Sequence, residues 1–274
     1  MVIKMNRNAI HMLRSVTDTI GDSLLITTKD GKLIVIDGGY ATETDYFVDY
    51  LKKLTGQDKP RIDVWFLTHP HKDHCGVFFE IVGDPERRVD FEKIYANFPA
   101  DPSFYDGVDE EGVAVVAEYR RLYPLFAERA AELSEGEILQ IGAAKFTVLY
   151  TFNPAWKRVN DASTVMRMDL GGVSVMFTGD AGLNAGNYVV GRYGGSRLMR
   201  CDICKMAHHG QDGVDRNFYE AVAPGICFWP TPSWVYGNIN GNLKTFETRE
   251  WIKELKVGRE YKSFEGTQVI PLGE

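Results

Sequence analysis

The sequence predicts an α/β protein, a four-layer αββα sandwich in which two mixed β-sheets pack face to face with helices outside. Two observations support this prediction. Strand-like and helix-like segments alternate along the chain twice over, and no polar linker separates the two strand-rich halves. Because each sheet must bury an apolar face, we expect the halves to share one domain over residues 1–274. A helical insertion is expected around residues 98–135.

The first part of the chain begins with a predicted hairpin. Residues 22–29 and 33–37 are apolar and β-rich, and an Asp-Gly pair supplies the turn between them. Residues 42–54 have the apolar spacing of a helix with one buried face. Residues 62–68 form a nearly continuous apolar run, which is typical of a strand buried on both faces.

A long helix is predicted over residues 110–133, and Pro124 should kink or split it because proline lacks a backbone donor. The chain then returns mainly to strands. Further strands are predicted at 93–96, 138–141, 145–151, 165–170, 173–178, 201–207, 226–229, 260–262 and 267–271. Two shorter helices are predicted at 215–222 and 245–255.

Composition narrows the function classes. The net charge of −7 gives no general attraction to nucleic acid or to anionic membranes. No window approaches the roughly 18 apolar residues that a membrane span needs. Residues 1–20 contain scattered charges and no long apolar core, so we expect no signal peptide and a cytoplasmic location.

The segment from Thr68 to His74 holds the densest group of metal-ligand side chains. His69, His71, Asp73 and His74 follow the apolar run 64–67, and they include three of the six histidines of the chain. Imidazole and carboxylate groups suit divalent first-row metals. A turn after a strand can direct several of them into one small volume. The segment therefore predicts a metal site, with room for two ions.

Other potential ligands also follow predicted strands. Asp37 ends one apolar run, Asp180 ends another, and His208 and His209 end a third. Strand ends of an α/β sandwich meet at one edge, where functional sites form. Each of these positions has a glycine beside it, which lets the backbone approach an ion closely. We therefore expect these side chains to join the cluster at residues 69–74.

This set of motifs resembles the metallo-β-lactamase superfamily. The matching residues are Asp37 in Ile-Asp-Gly-Gly, the series from His69 to His74, Asp180 in Thr-Gly-Asp, and His208-His209-Gly210. The resemblance extends from about residue 21 to the end of the chain. It implies the αββα metallo-β-lactamase fold.

The absence of one histidine indicates which subgroup of the superfamily this chain resembles. The family often places a histidine between its second and fourth motifs, but this chain has none between His74 and His208. It has Asn160 and Asp161 in that region, which resembles the hydrolase domain of ComEC-type DNA-uptake proteins. The segment Gly21-Asp22-Ser23 and a lysine three residues before His208 fit the same subgroup. The usual serine after His-His-Gly is Gln211 here, and a late histidine is absent around Asn238.

The resemblance implies most of the metal ligands. His69 and His71 would hold the first metal, Asp73 and His74 would hold the second, and Asp180 would bridge the two ions.

Two ligand places then remain, and a further residue would support a ligand from behind. One of His208 and His209 would complete the second site. Asn160 or Asp161 would take the last place at the first metal, directly or through water. Asp37 would orient a ligand imidazole and fix its tautomer.

The implied activity is that of a metal-dependent hydrolase with two divalent ions. Zn²⁺ is the expected ion, with Mn²⁺ or Fe as alternatives. Two close cations would lower the pKa of a shared water so that hydroxide forms near neutral pH. Asp73 would accept the remaining proton, and whichever of His208 and His209 is not a ligand would donate one to the leaving group.

The expected substrate is a phosphodiester or another phosphoester, either a small molecule or a nucleic acid, and no membrane partner is expected. The alternatives are a lactone, thioester or β-lactam hydrolase on the same fold, and a non-catalytic metal-binding sensor or interaction module. Residues 229–242 contain Trp234, Tyr236 and Asn238, which either face the metals or pack beneath their loop. The candidate basic cluster near the site is Arg192, Arg197 and Arg200.

Overall fold

The computed structural model describes residues 5–86, 88–105, 109–239 and 241–273. This described part contains fourteen strands: β1 Ala9–Met12, β2 Ser23–Thr27, β3 Leu33–Asp37, β4 Arg61–Leu67, β5 Asp90–Ala96, β6 Ala130–Ala131, β7 Ile138–Ile141, β8 Ala144–Tyr150, β9 Val165–Leu170, β10 Val173–Phe177, β11 Ile203–Lys205, β12 Ile226–Trp229, β13 Arg259–Lys262 and β14 Gln268–Pro271.

Seven α-helices lie between these strands within the same described ranges: α1 Thr44–Thr55, α2 Lys72–Gly83, α3 Glu110–Leu122, α4 Leu183–Tyr193, α5 Arg216–Val222, α6 Ser233–Tyr236 and α7 Thr245–Glu254. None of the helices found there combines the length and apolarity that a bilayer crossing requires.

The strands form two seven-stranded sheets with related topologies. The first sheet has the order β14-β1-β2-β3-β4-β5-β6, and the second has the order β13-β12-β11-β10-β9-β8-β7. Strands β3 to β6 run parallel in the first sheet, and strands β10 to β13 run parallel in the second. Antiparallel strands complete each sheet. The carboxyl ends of neighbouring parallel strands therefore share an edge, as the sequence predicted.

Three buried clusters fill the spaces between four layers. Phe66 of the first sheet meets Phe146 of the second between the sheets, with ring centroids 5.2 Å apart. On the outer face of the first sheet, Trp65 packs against Phe47 of α1 and Phe78 of α2. A third cluster joins the second sheet to α4, α5 and α7. The alternation of Trp65 and Phe66 follows the two-residue period of a strand. The predicted αββα sandwich is confirmed.

Some elements differ from the sequence prediction. The helix predicted over residues 110–133 ends at Leu122, and two 3₁₀ turns and the short strand β6 follow it. Pro124 lies in the first of these turns, so the predicted split is confirmed. Strand β1 and helices α2 and α4 were not predicted. Helix α2 begins with the polar residues Lys72, Asp73 and His74, which hide its apolar period, and β1 is only four residues long.

His11 forms a buried polar contact between the first sheet and helix α1. It lies on β1 with 1% of its surface exposed. Its Nδ1 is 2.8 Å from the hydroxyl of Tyr50, and its Nε2 is 3.4 Å from Oγ1 of Thr27. Burial, aided by the charge of Arg7, lowers the pKa of His11 from 6.5 to about 4. The imidazole is therefore neutral in the folded protein at neutral pH.

This shift predicts a loss of stability in mild acid. The unfolded chain binds a proton at His11 near pH 6.5, and the folded chain does so only near pH 4, so the free energy of unfolding falls as pH drops between these values. At about 1.4 kcal/mol per pKa unit, the loss reaches about 3 kcal/mol.

We expect His11→Gln to remove this contribution in urea unfolding of the metal-free protein at pH 7, 6, 5 and 4. Tyr50→Phe, which keeps the imidazole, should retain it. Equal pH dependence in wild type and His11→Gln would contradict the prediction.

Candidate metal centre

All but one of the side chains predicted as ligands meet at one edge of the two sheets. Asp37 ends β3 and pairs in register with Ser23, while His69 follows β4, the parallel neighbour of β3. Asp180 follows β10, and His208 and His209 follow β11, the parallel neighbour of β10. The shared edge of each parallel pair thus brings residues distant in sequence to one place.

Helix α2 places the second half of the histidine motif. His71 is its N-cap residue in an extended conformation, and Asp73 and His74 lie in its first turn. At Gly76 the helix packs closely on the segment that follows β3, where a Cβ would lie 2.3 Å from the backbone nitrogen of Ala41. A glycine is therefore required there for the helix to start at this position. The backbone oxygen of Asp73 accepts a hydrogen bond from the amide of Asp22.

Four side chains form a compact buried cluster. Donor atoms of Asp73, His74, Asp180 and His209 all lie within 4.8 Å of one another. Nε2 of His209 is 3.1 Å from Oδ2 of both carboxylates, and Nε2 of His74 is 3.3 Å from Oδ2 of Asp180. Ligand bonds of 2.0–2.1 Å in tetrahedral geometry place neighbouring donor atoms about 3.3 Å apart. Nε2 of His74 and Oδ1 of Asp180 are buried without a hydrogen-bond partner. The cluster therefore fits a divalent metal ion, and it corresponds to the predicted second site.

His69 and His71 form a second group beside this cluster. Nε2 of His69 lies 3.0 Å from Nδ1 of His71, so the two nitrogens can face one ion. Nε2 of His208 lies 3.9 Å from Oδ2 of Asp180 and 3.3 Å from Nδ2 of Asn160. The rings of His69 and His74 are 4.1 Å apart, so both the pair His69 and His71 and the residue His208 adjoin the compact cluster.

Asp161 is not brought to this group. Its carboxylate accepts hydrogen bonds from Nδ2 of Asn184 and from the backbone nitrogen of Ala185, each at 3.0 Å. It therefore supports the start of α4. The neighbouring Asn160 is the residue of this pair that reaches the centre, and its Oδ1 is buried without a hydrogen-bond partner.

Each histidine of the centre has one ring nitrogen occupied by a group behind it. The pairs are His69 Nδ1 with Thr68 Oγ1, His71 Nε2 with Asp109 Oδ2, His74 Nδ1 with Asp37 Oδ2, His208 Nδ1 with the Asp212 carbonyl, and His209 Nδ1 with the Pro230 carbonyl. Such partners fix the tautomer and turn the other nitrogen toward the ion. The Asp37 carboxylate also accepts hydrogen bonds from the backbone nitrogen and hydroxyl of Thr68, each at 2.8 Å.

Asp109 was not predicted from the sequence. Its Oδ2 lies 2.6 Å from Nε2 of His71, and its Oδ1 accepts hydrogen bonds from the backbone nitrogens of Glu111 and Gly112. One carboxylate therefore caps α3 and holds a predicted ligand. An acidic N-cap before a helix was visible in the sequence, but its contact with His71 depends on how the chain folds back.

Asp22 and Lys205 form a buried ion pair behind the cluster. In the sequence they marked only a subgroup resemblance. Nζ of Lys205 lies 2.6 Å from Oδ2 of Asp22 and 3.5 Å from Oδ1 of Asp180, and it donates to the Gly179 carbonyl. Burial opposes the charge, but the two carboxylates raise the pKa of Lys205.

The electrostatics of the cluster favour added positive charge. Burial opposes ionisation of Asp73, yet His74 and His209 lower its pKa to about 2. Although burial favours the neutral imidazole, the charges of Asp180 and Asp73 raise the pKa of His74 well above its usual value. The carboxylates thus attract protons onto the histidines, and a metal ion would take the place of those protons.

The aromatic loop proposed for substrate contacts has mostly structural partners. The Asn238 amide pairs with the backbone of Leu243, and the indole of Trp234 donates to the carbonyl of Asp18. The ring of Tyr236 packs against Phe264, with centroids 5.2 Å apart.

Comparison with known proteins agrees with this geometry. Residues 16–135 match the family described as the metallo-beta-lactamase superfamily. The chain is 27% identical over 173 residues to ComE operon protein 3 of Bacillus subtilis (strain 168). That match covers 62% of this chain and 20% of the relative, so the chain spans about a fifth of the relative's length.

Solved structures share the fold at low identity. The metallo-beta-lactamase fold protein YhfI of Bacillus subtilis is 13% identical, with a TM-score of 0.53, and the match covers 95% of this chain and 98% of YhfI. CmlA, a diiron beta-hydroxylase of Streptomyces venezuelae, is 11% identical, with a TM-score of 0.59, and the match covers 97% of this chain and 54% of CmlA. Zn²⁺-bound PqqB of Methylobacterium extorquens is 11% identical, with a TM-score of 0.53, over 92% of this chain and 87% of PqqB.

The fold and the buried histidine–aspartate cluster resemble those of metallo-β-lactamase domains, and the cluster could hold divalent metal ions. The resemblance to that superfamily is confirmed, and the similarity to ComE operon protein 3 supports the indicated subgroup. The neighbours include a diiron and a Zn²⁺ protein, so the fold alone leaves the choice of ion open.

Substitution of Asp109 should weaken metal binding without destabilising helix α3. Asp109→Asn keeps a good N-cap for α3 but removes the charged acceptor behind His71. Metal affinity should fall about 10–100-fold, as for other residues that orient a ligand. Metal titration of the chelator-treated protein measures this, and a thermal melt monitors the fold. Asp215→Asn is the matched control, because Asp215 caps α5 through the amide of Arg216. Equal affinity in both variants would contradict the role of Asp109.

Removal of the Lys205 charge should cause a large loss of stability. Lys205→Met leaves Asp22 buried without its cation, and the free energy of unfolding of the metal-free protein should fall by about 3–5 kcal/mol. Adding Asp22→Asn should recover part of this loss. Lys253→Met is the control, because its exposed pair with Glu250 contributes about 1 kcal/mol or less. Urea unfolding measures all variants, and a Lys205→Met effect no larger than the control would refute the prediction.

Proposed function

We propose that the protein is a metal-dependent hydrolase that cleaves phosphodiesters with a dinuclear metal centre. The observation that carries this proposal is the position of Asp180. Its Oδ2 lies 3.1 Å from Nε2 of His209 and 3.3 Å from that of His74, and it also lies 3.9 Å from Nε2 of His208. Asp180 thus belongs to the compact cluster, and the pair His69 and His71 lies next to that cluster, because the rings of His69 and His74 are 4.1 Å apart. This placement supports a bridging role for Asp180.

The residues of the chain prepare this centre for hydrolysis. Two divalent ions, when bound, lower the pKa of water and stabilise negative charge on a phosphoryl oxygen. Asp37 and Asp109 hold the imidazoles in position, and Lys205 offsets the charge of the buried carboxylates. Asp73 lies in the compact cluster, where its Oδ2 is 3.1 Å from Nε2 of His209, and this position suits a metal ligand.

A phosphodiester substrate is supported by the resemblance to the hydrolase domain of ComEC-type DNA-uptake proteins and by two cations near His208. Arg158 and Lys244 both pair with Asp212, at 3.0 and 3.4 Å, and the Asp212 carbonyl contacts Nδ1 of His208. Both cations are partly exposed beside the centre. Arg192, by contrast, lies at the far end of α4, roughly 14 Å along the helix from its start after Asp180.

The proposal predicts metal-dependent cleavage of phosphodiesters. The chelator-treated protein reloaded with Zn²⁺ or Mn²⁺ should hydrolyse bis(p-nitrophenyl) phosphate or a labelled single-stranded oligonucleotide. Asp180→Ala should lose both bound metal and at least about 100-fold in kcat/KM, because it removes the shared ligand. Asp45→Ala, an exposed aspartate paired with Arg88, is the control and should behave as wild type. Faster turnover of a chromogenic lactone, thioester or β-lactam would contradict the proposal, as would no turnover with both ions bound.

Salt dependence separates the two kinds of phosphodiester. Cleavage of an oligonucleotide held by several phosphate contacts should weaken steeply between 50 and 200 mM salt, on the order of tenfold or more. Hydrolysis of bis(p-nitrophenyl) phosphate, which carries one charge, should change little. A rate that is insensitive to salt for both substrates would favour a small diester.

A further inference from the structure

The turn that carries the last two histidines has an unusual backbone. His208 has φ 48° and ψ 48°, His209 has φ 56° and ψ 17°, and both therefore lie in the left-handed region. Side chains with a Cβ are disfavoured there, and two such residues in succession are rare. Such strain is found where a site needs a particular side-chain direction.

Neighbouring contacts hold this turn in place. The amide of His208 donates to the carbonyl of Gly179, and the amide of Gln211 donates to the carbonyl of His208. The next residue, Gly210, lies so close to Trp229 that a Cβ would be 2.2 Å from the indole ring. The surrounding fold thus enforces the left-handed turn.

The turn directs its two imidazoles to different partners. Nε2 of His209 contacts Asp73 and Asp180 of the compact cluster, at 3.1 Å each. Nε2 of His208 faces Nδ2 of Asn160 at 3.3 Å and Oδ2 of Asp180 at 3.9 Å. The two ring centroids are 6.0 Å apart. One histidine therefore belongs to the second-metal cluster, and the other lies beside the place of the first metal.

The first-metal place lacks one protein ligand from its expected set. His69 and His71 supply two nitrogens 3.0 Å apart, and the chain has no histidine between His74 and His208 to supply a third. Asp161 is committed to the start of α4. Asn160 reaches the centre, but a neutral amide is a weaker ligand than imidazole for Zn²⁺ and similar ions.

We propose that Nε2 of His208, which faces the amide Nδ2 of Asn160 in this structure, is the missing ligand of the first metal and exchanges that hydrogen bond for the ion. The inference rests on the proposed dinuclear centre. Nδ1 of His208 is occupied by the carbonyl of Asp212, which leaves the lone pair of Nε2 directed inward. Adjacent residues of one strained turn thus serve different ions, and His208 has no proton to donate to a leaving group.

The test counts bound ions and needs no substrate. The chelator-treated protein is titrated with Co²⁺, and the visible absorbance of the bound ion and elemental analysis give the stoichiometry and affinity at each site. The variants are His208→Gly, which keeps the left-handed turn without a Cβ, His69→Ala, and the two combined. Gln211→Ala is the matched control on the same turn. Circular dichroism of each metal-free variant verifies the fold, and His208→Asn, which also tolerates left-handed backbone, replaces the glycine variant if that one is unfolded.

The expected results identify which ion His208 holds. Wild type and Gln211→Ala bind two Co²⁺. His208→Gly and His69→Ala each lose one ion, with affinity at that site reduced by more than about 100-fold, which exceeds the loss expected for a residue that only orients a ligand. The double variant still binds one ion, as tightly as His69→Ala does, because both substitutions remove the same site.

Three results would overturn the proposal. Two ions bound by His208→Gly with unchanged affinity would show that His208 is not a ligand. Loss of both ions in the double variant would assign His208 to the second site. A wild type that binds a single ion at saturating Co²⁺ would remove the first site altogether, whereas a wild type with two ions and no phosphodiesterase activity would refute only the proposed function.

Discussion

Four aspartates buried at one sheet edge impose the main constraint on this structure. Asp22, Asp37, Asp73 and Asp180 lie within a few residues of strand ends and are almost inaccessible to solvent. Buried carboxylates are costly unless cations or hydrogen bonds compensate them. Lys205 supplies one permanent cation, the imidazoles supply donors, and the remaining demand for positive charge is what a metal site provides.

Other features of the fold serve this same edge. The parallel strand pairs bring the aspartates and histidines together, and the start of α2 directs Asp73 and His74 inward. The left-handed turn at His208 and His209 and the close packing at Gly76 are locally unfavourable for most side chains. These two features persist because the surrounding packing fixes the backbone. The positions of the site side chains follow from that fixed backbone.

The sequence predicted the fold and the cluster well where strong local signals exist. Long apolar runs identified the central strands, and strand-end ligands identified the edge. It did not predict helix α2, because ligand residues replace the apolar period of its first turn, or the contact of Asp109 with His71, which joins residues 38 apart. Adjacent residues were also indistinguishable in the sequence: Asn160 reaches the centre while Asp161 supports α4, since backbone direction alone separates them.

The Asp109 carboxylate contacts both the start of α3 and His71, and this limits how the segment around α3 can be replaced. The same carboxylate starts α3 and holds a ligand imidazole, so the segment above the first sheet is not an independent module. Replacement of that segment by another would also release His71 from its carboxylate partner unless an acidic residue were preserved at its start. The start of this helix and the orientation of a predicted metal ligand are therefore linked in this molecule through a single side chain.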